Sequence, residues 1–442
     1  MRALVLTLCL AMSELASAQL GGVRLPQLPS VGLPSVPGAA AALEGGNELP
    51  GSELDPRRLE ALRADRVREL LRRHGDVLEA DPHGVPFVRG EVLALAPSPD
   101  ALAAAAAAGF TVLREETFAA IDLHVVVLKA RARTALLLQQ LQSADPAGTY
   151  DFNHVYTDSG VLHAAAAADA AAGTHSADSA GSGAGAGVRL GLIDSGVAAA
   201  HEVFAGITIE GHGCAGAQAP PGLHATAVAS LMVGRAAALH GAAPGAALYA
   251  ADVFCGQPTG GSVDAVAEAF AWLLAQHVAV VNVSLVGPPN KLLERVVHEV
   301  VAHGCLVVAA VGNDGPAAPP LYPAAWPGVI GVTAVDARGR VLVEAGRGPQ
   351  VKFAAPGADM AAARVGGGYV PVRGTSFAAP IVAGLLALTL PQAGAPTEAV
   401  SALARVAQHP GSSSAPDPVY GYGVVGSELR QQPALAASRS RN

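Results

Sequence analysis

Gly374-Thr375-Ser376-Phe377-Ala378-Ala379-Pro380 opens an apolar run that continues through Ile381, Val382, Ala383, Gly384, Leu385 and Leu386 to Leu390. The absence of charge over that length predicts a buried core helix with a small hydroxyl residue at its start. The first turn of a helix carries backbone N–H groups that no carbonyl of the helix satisfies, together with the positive end of the helix dipole. Negative charge developing on an oxygen is favoured there, which suits Ser376 to be a nucleophile. Taken alone, the motif is equally a capping residue on a packing helix.

Two other segments supply the missing partners. Val188-Arg189-Leu190-Gly191-Leu192-Ile193-Asp194-Ser195-Gly196 reads as an apolar strand that delivers a carboxylate just before a glycine turn. In α/β proteins such strand ends border the site. His224-Ala225-Thr226-Ala227-Val228-Ala229-Ser230-Leu231-Met232 places a histidine at the entrance of a helix of small residues. Each has an ordinary explanation by itself, a turn-starting Asp and a surface His. Asp, then His, then a Ser that opens an apolar helix is one of the three known chain orders of the serine triad.

With these residues in this order, the chain resembles the subtilases, the subtilisin-like serine proteases, from about Val188 to Val425. Further motifs follow in family order. They are Gly241-Ala242-Ala243-Pro244-Gly245-Ala246 before Leu248-Tyr249-Ala250, the stretch Val281 to Pro288, and Val307-Val308-Ala309-Ala310-Val311-Gly312-Asn313-Asp314-Gly315. Tyr322-Pro323, Ala354-Ala355-Pro356-Gly357 and Tyr420-Gly421-Tyr422-Gly423 complete the set. The resemblance implies that Asp194, His224 and Ser376 are catalytic, that Asn313 belongs to the oxyanion hole, and that Ser284, Leu285, Val286 and Gly287 bind substrate. Two positions depart from the family, Ala225 where Gly usually follows the His and Phe377 where Met usually follows the Ser.

These residue types suit the chemistry. A serine hydroxyl is a poor nucleophile at neutral pH and needs a base. An imidazole, titrating near ~6.5 when unperturbed, can accept that proton and return it to the leaving amine. The carboxylate fixes the tautomer and stabilises the imidazolium. Other motifs lead nowhere: His298 and His303 are five apart instead of the four that would share a helix face. No Ser sits in Gly-x-Ser-x-Gly, and the Gly-rich stretch Gly181 to Gly187 precedes a strand instead of following one.

The fold class expected is α/β, a subtilisin-like parallel sheet with helices on both faces over 188–430, preceded by a small ferredoxin-like α+β prodomain. The prodomain reading rests on the order of apolar segments in 51–157: strand Val88–Leu95, helix Asp100–Ala108, strands Phe110–Arg114 and Leu123–Leu128, helix Ala135–Ser143 and strand Phe152–Tyr156. A charged helix is expected ahead of them over Arg57–Leu78. In subtilases a domain of this shape is the propeptide, both folding aid and inhibitor. By that resemblance the chain is a zymogen and Asp151 to Tyr156 lies in the cleft. Residues 158–187 are expected to form an Ala, Gly and Ser-rich linker of cleavable composition, with self-processing somewhere in 156–187, and 431–442 a C-terminal tail.

Residues 1–18 have the form of a secretory signal, with Arg2, an apolar core and Ala16-Ser17-Ala18, followed by a Pro/Gly-rich linker over 19–50. The protein is therefore expected to be secreted, to a periplasm or beyond. Of the three cysteines left, Cys214 and Cys255 flank the His224 segment and are the disulfide candidates, while Cys305 opens an apolar strand. A net charge of −8 leaves no basic footprint for nucleic acid. The Ser376 run, about 15 residues, falls short of the ~20 of a membrane span. The expected partners are polypeptide substrates and the chain's own propeptide. No cofactor or metal is required; calcium is possible from the family, though no Asp-rich loop of ligand spacing appears. Two alternatives stay open, a catalytically silent subtilase-like binding module and a serine acyl hydrolase on the same fold.

Phe377 carries a prediction. Without a thioether next to the nucleophile, activity should survive mild peroxide. Rapid inactivation with no other oxidised residue near the site would contradict it.

Overall fold

A computed structural model of the chain describes residues 56–158, 161–162, 184–213, 220–237, 239–410 and 416–430. The expected signal 1–18, linker 19–50 and tail 431–442, Cys214 and most of the expected 158–187 linker lie outside the described residues.

The chain begins with α1 (Pro56–Arg73), shorter than expected. Its last turn gives way to a bend at His74-Gly75, so Leu78, which fits the helical spacing, is instead buried in β1 (Leu78–Ala80). There follow β2 (Pro86–Leu95), α2 (Pro99–Ala107), β3 (Phe110–Phe118), β4 (Leu123–Ala130), α3 (Thr134–Ala144), β5 (Thr149–Asp158) and the short β6 (Val161–Leu162). Strands β2 to β5 form an antiparallel sheet in the order β5-β2-β4-β3.

This sheet is apolar on both faces, which explains the unbroken run Val125-Val126-Val127-Leu128. Successive strand side chains point to opposite faces. Val126 and Leu128, with Val92 and Ala94, pack with Ala105 of α2 and Leu138 and Leu141 of α3. Val125, Val127 and Leu93 join the core of the C-terminal half instead.

That half contains β7 (Arg189–Asp194), β8 (Ile209–Gly213), α4 (Leu223–Val233), β9 (Arg235–Ala236), β10 (Leu239–His240), β11 (Ala247–Asp252), β12 (Gly261–Ser262) and α5 (Val263–Ala275). It continues with β13 (Val280–Val283), β14 (Leu285–Val286), α6 (Lys291–Ala302), β15 (Leu306–Ala310), β16 (Ile330–Val335) and β17 (Val351–Pro356). Last come β18 (Met360–Ala363), β19 (Tyr369–Arg373), α7 (Thr375–Ala393) and α8 (Pro396–Val406). Seven strands make one parallel sheet in the order β17-β16-β15-β13-β7-β11-β8. Leu190, Leu192 and Val308 face the core shared with α4 and α7, while Ile193, Val281 and Val307 face that shared with α5 and α6.

The strand order reverses at β7, since the chain lays β8 and β11 on one side of it and β13 on the other. Loops diverge at such a point and leave a crevice at the strands' C-terminal ends. Asp194, the last residue of β7, therefore lies at its edge.

Among the described residues α7 is the one helix long and apolar enough to cross a membrane, but it packs against the sheet, α4 and α8. Its apolarity on all sides reflects burial within the core. Gly374 caps it at φ 138°, a conformation that other residues resist, and so turns the chain sharply from β19 into the helix that begins beside Ser376.

The N-terminal sheet is held to the C-terminal half by polar contacts at two helix starts. Asp151 Oδ2 accepts from the Lys291 N–H of α6 at 2.9 Å, and Asn290 Nδ2 donates to the Phe152 carbonyl at 2.9 Å. Arg114 pairs with Asp264 in the first turn of α5, to which Asn153 Nδ2 also donates at 2.9 Å.

Candidate active site

Asp194 is fully buried, and its carboxylate is satisfied locally by the Ser195 N–H at 2.8 Å. Across the crevice, α4 begins at Leu223 and brings His224 Nδ1 to 2.8 Å from Asp194 Oδ2 and 3.1 Å from Oδ1. Ala225 is helical and fully buried, so its methyl group is accommodated where glycine was the family expectation. The other imidazole nitrogen, Nε2, is buried and has no hydrogen-bond partner.

Ser376 lies in the first turn of α7, and the Phe377 ring stands 5.5 Å from the His224 ring. The start of α7 is tied to the Gly312-Asn313 turn. The Thr375 N–H donates to Asn313 Oδ1 at 3.1 Å, and the Gly312 N–H donates to Thr375 Oγ1 at 3.2 Å. These bonds orient the Asn313 amide with its nitrogen away from Thr375, and that Nδ2 is buried without a partner. Buried polar groups are nearly always paired, so an unpaired ring nitrogen on His224 and an unpaired donor on Asn313 mark a place built for a visiting group.

Ser376 Oγ donates to the Ser284 carbonyl at 3.2 Å, and Ser284 Oγ donates back to the Ser376 carbonyl at 2.9 Å. Asn282 Nδ2 in turn donates to Ser284 Oγ at 2.9 Å. The Ser284 side chain thus braces the helix start, while Leu285 and Val286 offer their backbone as an open strand edge.

That edge is occupied by the chain itself. Leu285 and Val286 pair antiparallel with Asp158 and Thr157 of β5, and Gly261 and Ser262 of β12 pair with Tyr156 and Val155. Beyond the undescribed residues 159–160, Val161 and Leu162 pair antiparallel with Arg373 and Val372, just before Ser376. The sequence reading placed the cleft segment at Asp151 to Tyr156. Asp151 and Phe152 instead remain in the N-terminal sheet against Leu93 and Val92, and the part in the cleft begins at Val155. Of the expected 158–187 linker, Asp158 belongs to β5 and residues 161–162 are likewise strand and not loose chain.

The protonation of His224 follows from its surroundings. Burial alone would lower its pKa, but the Asp194 charge and hydrogen bond, with a contribution from Asp158, overcome this and raise it to about 9. Asp252, opposite Asp194 in the sheet register, is pushed up by burial, with the Asp194 charge acting in the same direction.

Sequence reasoning missed one contact beside the site. Arg63 Nε and Arg66 Nη2 of α1 lie 3.1 and 2.9 Å from the Asp314 carboxylate, next to Asn313. Cys255 is disulfide-bonded and Cys305 is a free, buried thiol whose pKa burial pushes up to about 12. Cys214, the partner expected for Cys255, lies outside the described residues. Among the described residues no group of three or more His, Cys, Asp or Glu could hold a metal ion. A separate cavity of about 250 Å³, lined by Val188, Arg189, Val280 and Leu390, sits at the opposite end of β7 from Asp194.

The sequence model of the subtilase family matches residues 185–423, more than half of the chain. Subtilisin DY of Bacillus licheniformis is 31% identical over 211 residues, covering 46% of this chain and 76% of that protein. A thermostable alkaline protease of Halalkalibacterium halodurans is 36% identical over 149 residues, 34% of this chain and 41% of that protein. Subtilisin E of Bacillus subtilis is 36% identical over 155 residues, 34% of this chain and 40% of that protein. Against these last two, the chain spans less than half the relative's length. Among solved structures, fervidolysin of Fervidobacterium pennivorans, described as a keratinolytic enzyme related to subtilisin, shares the fold. Its TM-score is 0.62 at 21% identity, over 78% of this chain and 61% of that one.

The site makes a measurable prediction. In the full chain carrying Ser376→Ala, the His224 imidazole should titrate near pH 9 by NMR, charged below and neutral above. Asp158→Asn should move that titration downward, because a negative charge that favours the imidazolium is removed. An unmoved titration would mean that Asp158 does not act on His224.

Proposed function

The chain belongs to the subtilase family, and on that premise we propose that it is a secreted serine endopeptidase acting through an acyl-enzyme on Ser376. The observation that carries the reading is the pair of unpaired buried nitrogens, His224 Nε2 and Asn313 Nδ2, beside the start of the helix that bears Ser376. An acyl-transfer reaction uses both.

In the proposed mechanism a peptide lies along Leu285–Val286 with its scissile carbonyl at Ser376. His224 Nε2 takes the hydroxyl proton as Ser376 Oγ attacks, which requires the hydroxyl to turn from the Ser284 carbonyl toward the imidazole. Asp194, bonded to Nδ1, keeps that nitrogen protonated and stabilises the imidazolium without itself taking the proton. Asn313 Nδ2 and the Ser376 N–H receive the oxyanion. The imidazolium then protonates the leaving amine, and water repeats the sequence in reverse to release the acid. Only neutral His224 is a base, so the reaction gains rate as pH rises through its pKa.

The N-terminal sheet is assigned to the propeptide, with β5 as its inhibitory strand. Support comes from β5 filling the edge a substrate would use, and from chain on both sides of residues 159–160 being paired to the cleft. The names of relatives such as the minor extracellular protease Epr of Bacillus subtilis support secretion. The disulfide is assigned to Cys214–Cys255.

A serine-directed fluorophosphonate should label the processed protein and not Ser376→Ala. Casein should be cleaved in preference to short-chain esters. Asn313→Ala should lower kcat by about 100 to 1000-fold, the usual loss of one oxyanion donor. No labelling of the wild type would defeat the reading. The first cut is expected between Asp158 and Val161, so the mature protein should begin at residue 159, 160 or 161. A secreted form beginning at Gln19 would exclude self-processing.

A further inference from the structure

The first helix lies outside the sheet that follows it. α1 precedes the β-α-β-β-α-β order, and a bend at His74-Gly75 separates it from β1. Three of its arginines are used internally: Arg68 pairs with Asp65, and Arg72 and Arg73 pair with Glu69. Arg63 and Arg66, three apart and therefore on one face, reach out instead to the Asp314 carboxylate at 3.1 and 2.9 Å. One turn earlier, Leu59 lies against Gly315, where a Cβ would stand 3.2 Å from a Leu59 methyl carbon. α1 therefore sits on the turn that carries Asn313, by contacts separate from the strand pairing of β5.

The site does not need this hold. The start of α7 is fixed to the turn through Thr375, and the Gly315 N–H donates to the Glu344 carbonyl at 2.8 Å. With α1 in place the Asp314 side chain is only 14% exposed and has two cations. With α1 gone, water takes their place, and an exposed carboxylate loses little by the exchange. Attachment is favourable and detachment leaves the turn intact, the balance that a reversible catch requires.

We propose that α1 is a second latch of the blocked state, distinct from the strand in the cleft: Arg63 and Arg66 clasp Asp314 and keep the N-terminal part seated after the chain between Asp158 and Val161 has been cut. The proposal rests on the endopeptidase and propeptide reading and adds its regulation. The cut turns an intramolecular contact into one between two pieces, so each remaining tie lengthens the time before the cleft opens.

The test follows the full chain through its own processing, reading the first cut by mass spectrometry and activity by casein hydrolysis. Latency is the interval between the two. Arg63→Gln with Arg66→Gln keeps good helix formers at both positions. It should shorten latency about tenfold, the size of one lost hydrogen bond between charged groups. Arg68→Gln with Arg72→Gln removes the same charge from the same helix and should leave latency unchanged. Arg66→Gln alone, at the more exposed of the two positions, should shorten it about threefold and decides the matter if the double variant does not accumulate. Wild-type latency in both Asp314-facing variants, with the cut and casein hydrolysis intact, overturns the latch and leaves the endopeptidase reading standing. So does equal shortening by the Arg68 and Arg72 pair, since the effect is then one of helix stability or net charge. Casein hydrolysis that starts with the cut itself in the wild type also overturns it. No cut, no casein hydrolysis and no fluorophosphonate labelling of the wild type remove both readings together.

Discussion

A carboxylate with no exposure to water, Asp194, is tolerable only because its charge is answered from two directions, by the neighbouring Ser195 N–H and by His224 across the crevice. Removing one member of a buried ion pair commonly costs about 3–5 kcal/mol. The end of β7 and the start of α4 are therefore held in one relative position. Asn313 enters through a second tie, since its carbonyl oxygen fixes the first turn of α7 and leaves the amide nitrogen for other use. Three elements far apart in sequence converge because each carries a polar group that the apolar interior could not otherwise accept.

Much of this convergence is legible in the chain. Short-range patterns report themselves: an apolar strand ending in Asp, a small-residue helix starting with His, an apolar helix starting with Ser. The N-terminal elements were readable for the same reason, although Leu78 fits a helical spacing and is used as a strand residue. What escaped depends on distance along the chain. The pairing of Arg63 and Arg66 with Asp314 joins segments about 250 residues apart, and nothing local in α1 marks its arginines as different from Arg68 or Arg72. The cleft segment expected at 151–156 rests on the family resemblance alone, which does not fix where β5 changes partner. Its real division is set by partners, β2 up to His154 and then β12 and β14.

The N-terminal sheet shows how one sequence can serve two cores. Alternation along β4 sends Val126 and Leu128 into the sheet's own core and Val125 and Val127 into that of the C-terminal half. Hydropathy alone cannot separate these roles, since both sides are equally apolar; the interface is visible only once a neighbour is in place.

β5 also links two quantities that are separate in an enzyme with a free-standing inhibitor. It is an edge strand of the N-terminal sheet up to His154 and, from the next residue on, the occupant of the cleft. Loosening that sheet frays the strand at its root, so in the proposed role the lifetime of the blocked state is governed by how often a small domain opens. Latency in such a chain is an unfolding rate, and temperature would advance it as a clock.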